Sequence, residues 1–195
     1  MSKIRIYGEK DVRPAAYNRS AAGYFLELAE KQQEGQFFSV EASIVFSAFT
    51  HEAFLNSLGP KIRKDWQEFD RVRPAEKLYA ICETLKYEPN KGARPYQTLN
   101  GLFWFRNFIA HGREEKVMAN GELLSSRERS EDFDTIEADW EKYCSLVNAR
   151  NAYEDVRIIA EDLCERAGVK RFVQFPFGTI ASGVYQVEKV DSQIK

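Results

Sequence analysis

The sequence predicts an all-α protein, an up-and-down bundle of four or five helices with short β or extended segments at its ends. Three observations predict it. From Pro14 to Ala167 apolar residues recur at helical spacing, the pattern of helices with one face buried. Glycine and proline punctuate those runs at Gly35, Gly59-Pro60, Gly112 and Gly168, where helices end. Only the termini carry a strand-like pattern, KIRIY at Lys3–Tyr7 and RFVQFPFGTIASGVYQVEKV from Arg171. The 195 residues suit a single domain, with a helical core over about residues 12–167 and a β-like appendage over 168–195.

Lys3 to Tyr7 alternate polar and apolar and read as a short strand before a turn at Gly8. Pro14 opens a helix in which Ala16, Tyr17, Ala21, Tyr24, Phe25 and Leu28 follow helical spacing, and the Gln/Glu run to Gly35 ends it. Phe38 to Leu58 is the most apolar helix. Val40, Ile44, Val45, Ala48, Phe49, Phe54, Leu55 and Leu58 surround most of its circumference, which places it at the centre of the bundle. Gly59-Pro60 is its stop signal.

The polar residues of that helix need explaining. Ser43, Ser47 and Thr50 form a narrow strip to be satisfied by backbone bonding or water. Glu41, His51, Glu52 and Asn56 remain. A buried glutamate here wants a cation, because an unpaired buried charge is costly. Arg106 is the natural partner for Glu52, and Glu41 is the next carboxylate in line; a solvent-facing Glu52 is the bland alternative. HEAFLN fails the zinc-protease pattern HExxH, since Asn56 stands where a second histidine belongs.

Lys61 to Arg73, KIRKDWQEFDRVR, mixes five cations with Trp66 and Phe69. It reads either as a phosphate-binding patch with stacking aromatics or as a solvated connector, and Asp65, Glu68 and Asp70 favour the connector. Pro74 begins a helix through Leu78, Ile81 and Leu85. Tyr87 to Pro95 is a turn-rich loop that leaves Lys91 and Arg94 just ahead of the next helix.

That helix, LNGLFWFRNFIAHG over Leu99–Gly112, holds His111, one of two histidines in the chain. Pro95 suits its first turn and Gly112 its C′ position. Leu99, Leu102, Phe103, Arg106, Ile109 and Ala110 share one face, so Arg106 interrupts an apolar stripe. Asn100, Trp104, Asn107 and His111 form a second stripe. Arg106 and His111 lie five residues apart, roughly 140° around an ideal helix. They converge only if the helix loosens near His111 or if the Arg106 side chain wraps round. A last-turn histidine can also simply serve the helix dipole, and an arginine on an apolar face a structural ion pair.

Beyond Gly112, Asn120-Gly121 marks a hairpin or a surface loop. Asp132 or Asp134 can cap a helix that runs from Phe133 to about Ala167 as one bent element or as two, breaking near Asn148–Asn151. Gly168 ends it. The tail suits a strand-turn-strand appendage or an arm onto a partner chain.

Hydrophobic residues make up 44% of the chain, including 14 Phe, 9 Tyr and 3 Trp, which is enough for a real core and excludes disorder. Net charge is −2, so no global basic field advertises nucleic acid, and RNA contact would need a local patch. Cys82, Cys144 and Cys164 lack CxxC spacing and read as reduced core thiols of a cytoplasmic protein. No signal-peptide run and no stretch of ~20 apolar residues is present. There is no GxGxxG, no phosphate loop, and no metal-ligand cluster.

RNFIAHG resembles the signature of the HEPN superfamily, an arginine, a polar neighbour, and a histidine four to six residues after the arginine. Here these are Arg106, Asn107 and, with four residues intervening, His111. FSAFTHEAFLNSLG and RPAEKLYAICETL resemble the earlier helices of such domains, so the resemblance covers about residues 12–167. It implies a homodimer with two Arg–His pairs in one cleft. It also implies a metal-independent endoribonuclease with no cofactor, set in toxin–antitoxin or anti-phage systems, with RNA as substrate and an antitoxin or other protein as partner.

The residue types fit that chemistry. RNA carries its own nucleophile, the 2′-OH, so cleavage needs a base, an acid and a phosphate clamp. His111, as an imidazole, can be base or acid. Arg106 can hold the scissile phosphate by two bonds. Asn107 can orient His111 or the phosphate, and Glu52 can position Arg106. The products would be a 2′,3′-cyclic phosphate and a 5′-hydroxyl. The rival is a non-catalytic dimeric module whose Arg106 and His111 bind an RNA end, a nucleotide or a protein.

Overall fold

The computed structural model describes residues 3–112, 114–117, 136–169 and 181–190. Within them the chain is mostly helical: α1 (Pro14–Lys31), α2 (Gln36–Ile62), α3 (Pro74–Thr84), α4 (Thr98–His111), the five-residue α5 (Asp139–Tyr143) and α6 (Leu146–Arg166). The five longer helices make the bundle. Strand β1 (Lys3–Val12) pairs antiparallel with β2 (Ala181–Val190), with Lys3 opposite Val190 and Val12 opposite Ala181.

Helix α2 is the hub, touching α1, α3, α4 and α6. Val40, Ile44, Ala48, Phe54, Leu55 and Leu58 are buried along it. The hydroxyls of the Ser43, Ser47 and Thr50 strip find carbonyls: Ser47 donates to Ser43 O at 2.8 Å, Thr50 to Phe46 O at 2.7 Å, and Ser43 crosses to Ala22 O of α1 at 3.0 Å. Each of these three hydroxyls therefore escapes the penalty of an unmade bond.

Several expectations are corrected. β1 does not turn at Gly8; Gly8 sits within the ladder opposite Tyr185, because the partner strand comes from the far end of the chain rather than from a hairpin. Gly183 likewise lies within β2, opposite Lys10. α2 does not stop at Gly59-Pro60 but runs to Ile62. Pro60 falls in the last turn, and the carbonyl it leaves without a donor belongs to exposed Asn56, so the cost is small. Gly59 is there for packing, since a Cβ would lie 2.2 Å from the Trp66 ring.

In α1 the buried face is Ala15, Ala16, Arg19, Ala22, Leu26 and Ala29, while Tyr17 and Tyr24 are exposed. Small residues let α1 lie close to α2, and the tyrosines are turned outward. Buried Arg19 stacks on Tyr153 of α6, 4.2 Å from the ring centre, and donates to the Tyr153 carbonyl.

α4 begins at Thr98 rather than at Pro95. Asp155, buried on α6, explains its seat: Arg94 grips both carboxylate oxygens at 2.8 and 2.9 Å, and Thr98 Oγ1 donates to Oδ2 at 2.5 Å. The last helical region is two elements, broken at Cys144–Ser145 and not near Asn148–Asn151. Ser145 caps α6 by accepting from the Asn148 N–H, and the Glu141 carboxylate accepts from Ala138 N–H at the start of α5. The expected Asn120-Gly121 turn and the Asp132 or Asp134 cap lie outside the described residues.

Candidate functional site

α4 is positioned by Leu99, Leu102 and Phe105, its buried residues. Phe105 was not on the expected face, and Ala110, expected there, is exposed. The buried stripe is thus rotated slightly, and Arg106 lies at its margin, turned toward α2. Arg106 Nη2 donates to Glu52 Oε2 at 2.9 Å. The pair is half-buried, with 19% of the Arg106 side chain and 31% of that of Glu52 exposed. The guanidinium also lies over Phe103, 5.5 Å from the ring centre. The expected meeting of Glu52 and Arg106 is therefore a geometric fact. Glu41 meets no cation among the described residues; partial burial raises its carboxyl above the usual range.

Arg106 and His111 do not converge. α4 stays regular to His111, where the Gly112 N–H returns to Phe108 O at 3.0 Å with Gly112 left-handed at φ 50. The Arg106 side chain is committed to Glu52 and does not wrap round. Asn107 and His111 are both exposed, and among the described residues neither has a hydrogen-bond partner. One chain therefore assembles an anchored arginine and, on the solvent side of the same helix, a free imidazole and a free amide.

At the C-terminal end of α4 lies a groove of about 420 Å³, lined by Phe108, Ile109, Gly112, Val117, Ala138 and Trp140 together with Glu115 and Glu141. Phe108 stacks on Trp140 with ring centres 5.7 Å apart. Trp104, one turn before Phe108, is 44% exposed.

The burial of two polar residues beside this pair was not legible in the sequence. Lys77 on α3 is 2% exposed, donates to the Asp70 carbonyl at 3.0 Å, and brings its ammonium to 3.8 Å from Glu52 Oε1. No periodicity marks a lysine as buried; its place in the first turn of α3, opposite α2, is visible only in three dimensions. His51 is fully buried beside Phe103, and neither ring nitrogen has a partner among the described residues. Burial pushes its pKa down to about 4, so the ring is neutral. Its signal was its position, a polar residue next to Glu52 on a nearly all-apolar helix. Arg106 Nε is the remaining buried side-chain atom without a partner among the described residues.

The basic stretch after α2 is a connector. Arg63 is spent on Asp65, Glu83 and the Ala80 carbonyl and covers Phe69, Arg73 pairs with Glu76, and Trp66 is buried against Phe69. No aromatic face is left there for a base. Among the described residues no helix is long and apolar enough to cross a membrane, and no group of three or more His, Cys, Asp or Glu gathers as metal ligands. No family model matches the chain, and no curated protein or solved structure matches it significantly.

Proposed function

We propose that the chain is a metal-independent endoribonuclease of the HEPN type, acting as a two-fold dimer in the cytoplasm, with toxin–antitoxin or anti-phage defence as its setting. The observation that carries this is the Glu52–Arg106 pair. It anchors an arginine on α4 while leaving most of the guanidinium donors unspent, and α4 ends in an exposed histidine. In the proposed reaction Arg106 clamps the scissile phosphate and offsets the charge that grows on its oxygens. His111 takes the 2′-OH proton, His111 of the second copy protonates the leaving 5′-oxygen, and Asn107 orients one of them. A second copy is needed because one chain offers a single imidazole on this surface.

The second reading, a binding module without catalysis, is favoured by one feature: Glu115 and Glu141 line the groove at the C-terminal end of α4 and repel a phosphate backbone. One experiment separates the two. Purified protein is incubated with mixed RNA in EDTA, beside His111→Ala and Arg106→Lys. The enzyme reading expects cleavage that survives EDTA and leaves 2′,3′-cyclic phosphates. His111→Ala should abolish it, and Arg106→Lys should impair it severely, since lysine lacks the planar fork. A folded dimer that leaves diverse RNAs intact sinks the enzyme reading, and cleavage that requires Mg²⁺ sinks the mechanism.

A further inference from the structure

We propose that Lys77 is a positioning residue of this site, a buried ammonium that offsets Glu52 and so leaves Arg106 with a net positive charge for a phosphate oxyanion; this rests on the reading of Arg106 as the phosphate clamp. A simple Glu–Arg pair is electrically neutral and a poor trap for an anion. Here one carboxylate stands between two cations, with Arg106 on Oε2 at 2.9 Å and Lys77 facing Oε1 at 3.8 Å. Arg63, in contrast, faces two carboxylates, Asp65 and Glu83. In a chain of net charge −2, the Glu52 cluster is thus a local surplus of positive charge.

The placement of that surplus matters. Lys77 is 2% exposed, so neither solvent nor salt screens it well, and no ligand reaches it. Its charge can act only through Glu52 and across the low-dielectric layer between α2 and α3. Arg106, in contrast, is 19% exposed. It makes one side-chain hydrogen bond among the described residues, from a group with five N–H donors, so it has donors left for an oxyanion. Lys77 supplies the surplus and Arg106 the contact.

The test separates binding from cleavage by using a fluorescent single-stranded DNA oligomer, which has no 2′-OH and cannot be cut by this route. Inorganic pyrophosphate serves as competitor, to tell phosphate-driven binding from base stacking. Lys77→Met, close in volume and uncharged, should weaken binding by about tenfold, the effect of a unit charge several ångströms away at an intermediate effective dielectric. Glu52→Gln should do the opposite and tighten it, because it removes the carboxylate that competes for Arg106. Pyrophosphate should displace the oligomer from wild type. A merely structural role for Lys77 would not give opposite signs. Unchanged affinity in folded Lys77→Met overturns the proposal. If that variant does not fold, Lys77→Met is read in the Glu52→Gln background: binding weaker than in Glu52→Gln alone supports the proposal, and equal binding overturns it. Pyrophosphate that fails to compete also overturns it. Oligomer binding with these signs but no RNA cleavage would sink the enzyme reading and leave this site standing. Cleavage that depends on Arg106 and His111 but ignores Lys77 would do the reverse.

Discussion

Removing Glu52 should cost more stability than removing Arg106, and removing Lys77 as well should recover part of the loss. The Glu52–Arg106 contact is half-buried, so it falls between exposed pairs, worth about 0.2–1 kcal/mol, and buried ones, whose rupture costs about 3–5 kcal/mol. Arg106→Ala should therefore cost only about 1 kcal/mol, since Glu52 can turn to water and still faces Lys77. Glu52→Ala strands Lys77, which is 2% exposed and, among the described residues, keeps the Asp70 carbonyl alone as acceptor. That adds roughly 2 kcal/mol, for a total near 3. In Glu52→Ala/Lys77→Met the stranded charge is gone and about 1–2 kcal/mol should return. Urea unfolding followed by far-UV circular dichroism measures all four proteins. A double variant less stable than Glu52→Ala alone, or an Arg106→Ala loss as large as that of Glu52→Ala, would refute the reasoning.

Acid should weaken the fold through His51: its pKa is about 4 in the folded chain, against about 6.5 when unfolded, so the unfolded state binds the extra proton between those values. Stability is then fully present above about pH 6.5 and falls toward pH 4 by on the order of 3 kcal/mol, and His51→Phe should flatten that slope in unfolding measured across pH. Gly59→Ala places a Cβ 2.2 Å from Trp66 and should lose about 1–3 kcal/mol with a shift in tryptophan emission; an unchanged melting temperature would contradict the packing. Asp155→Ala should free the start of α4, read as faster amide exchange at Leu99 and Leu102 than at Phe105, and uniform exchange along α4 would argue against the anchor.

The sequence made the helices and the Glu52–Arg106 meeting legible for physical reasons. A glutamate on a nearly all-apolar helix and an arginine on an apolar stripe each need an opposite charge, and the chain offers few candidates. Gly112 could be read as the end of α4 because the left-handed backbone there is open to glycine at no cost. The β1–β2 pairing was not legible, since nothing local joins residues from opposite ends of the chain. Pro60 misled because its rule concerns helix interiors, not last turns. The burial of Lys77, Asp155 and His51 was not legible for a common reason: burial of a polar group depends on which helices cross at its level, and periodicity within one helix does not contain that.

The cysteines have a practical consequence. All three are buried and none forms a disulfide among the described residues, and burial pushes Cys82 up to about 11 and Cys144 up to about 12. At neutral pH those thiols hold almost no thiolate, so the native chain is nearly inert to alkylating dyes. A single cysteine introduced at exposed Ala110 would then be the one fast-reacting thiol, with no need to strip out the natural three. A spin label there reports directly on α4: a short distance between two labels would place two copies of the helix side by side, one residue from His111.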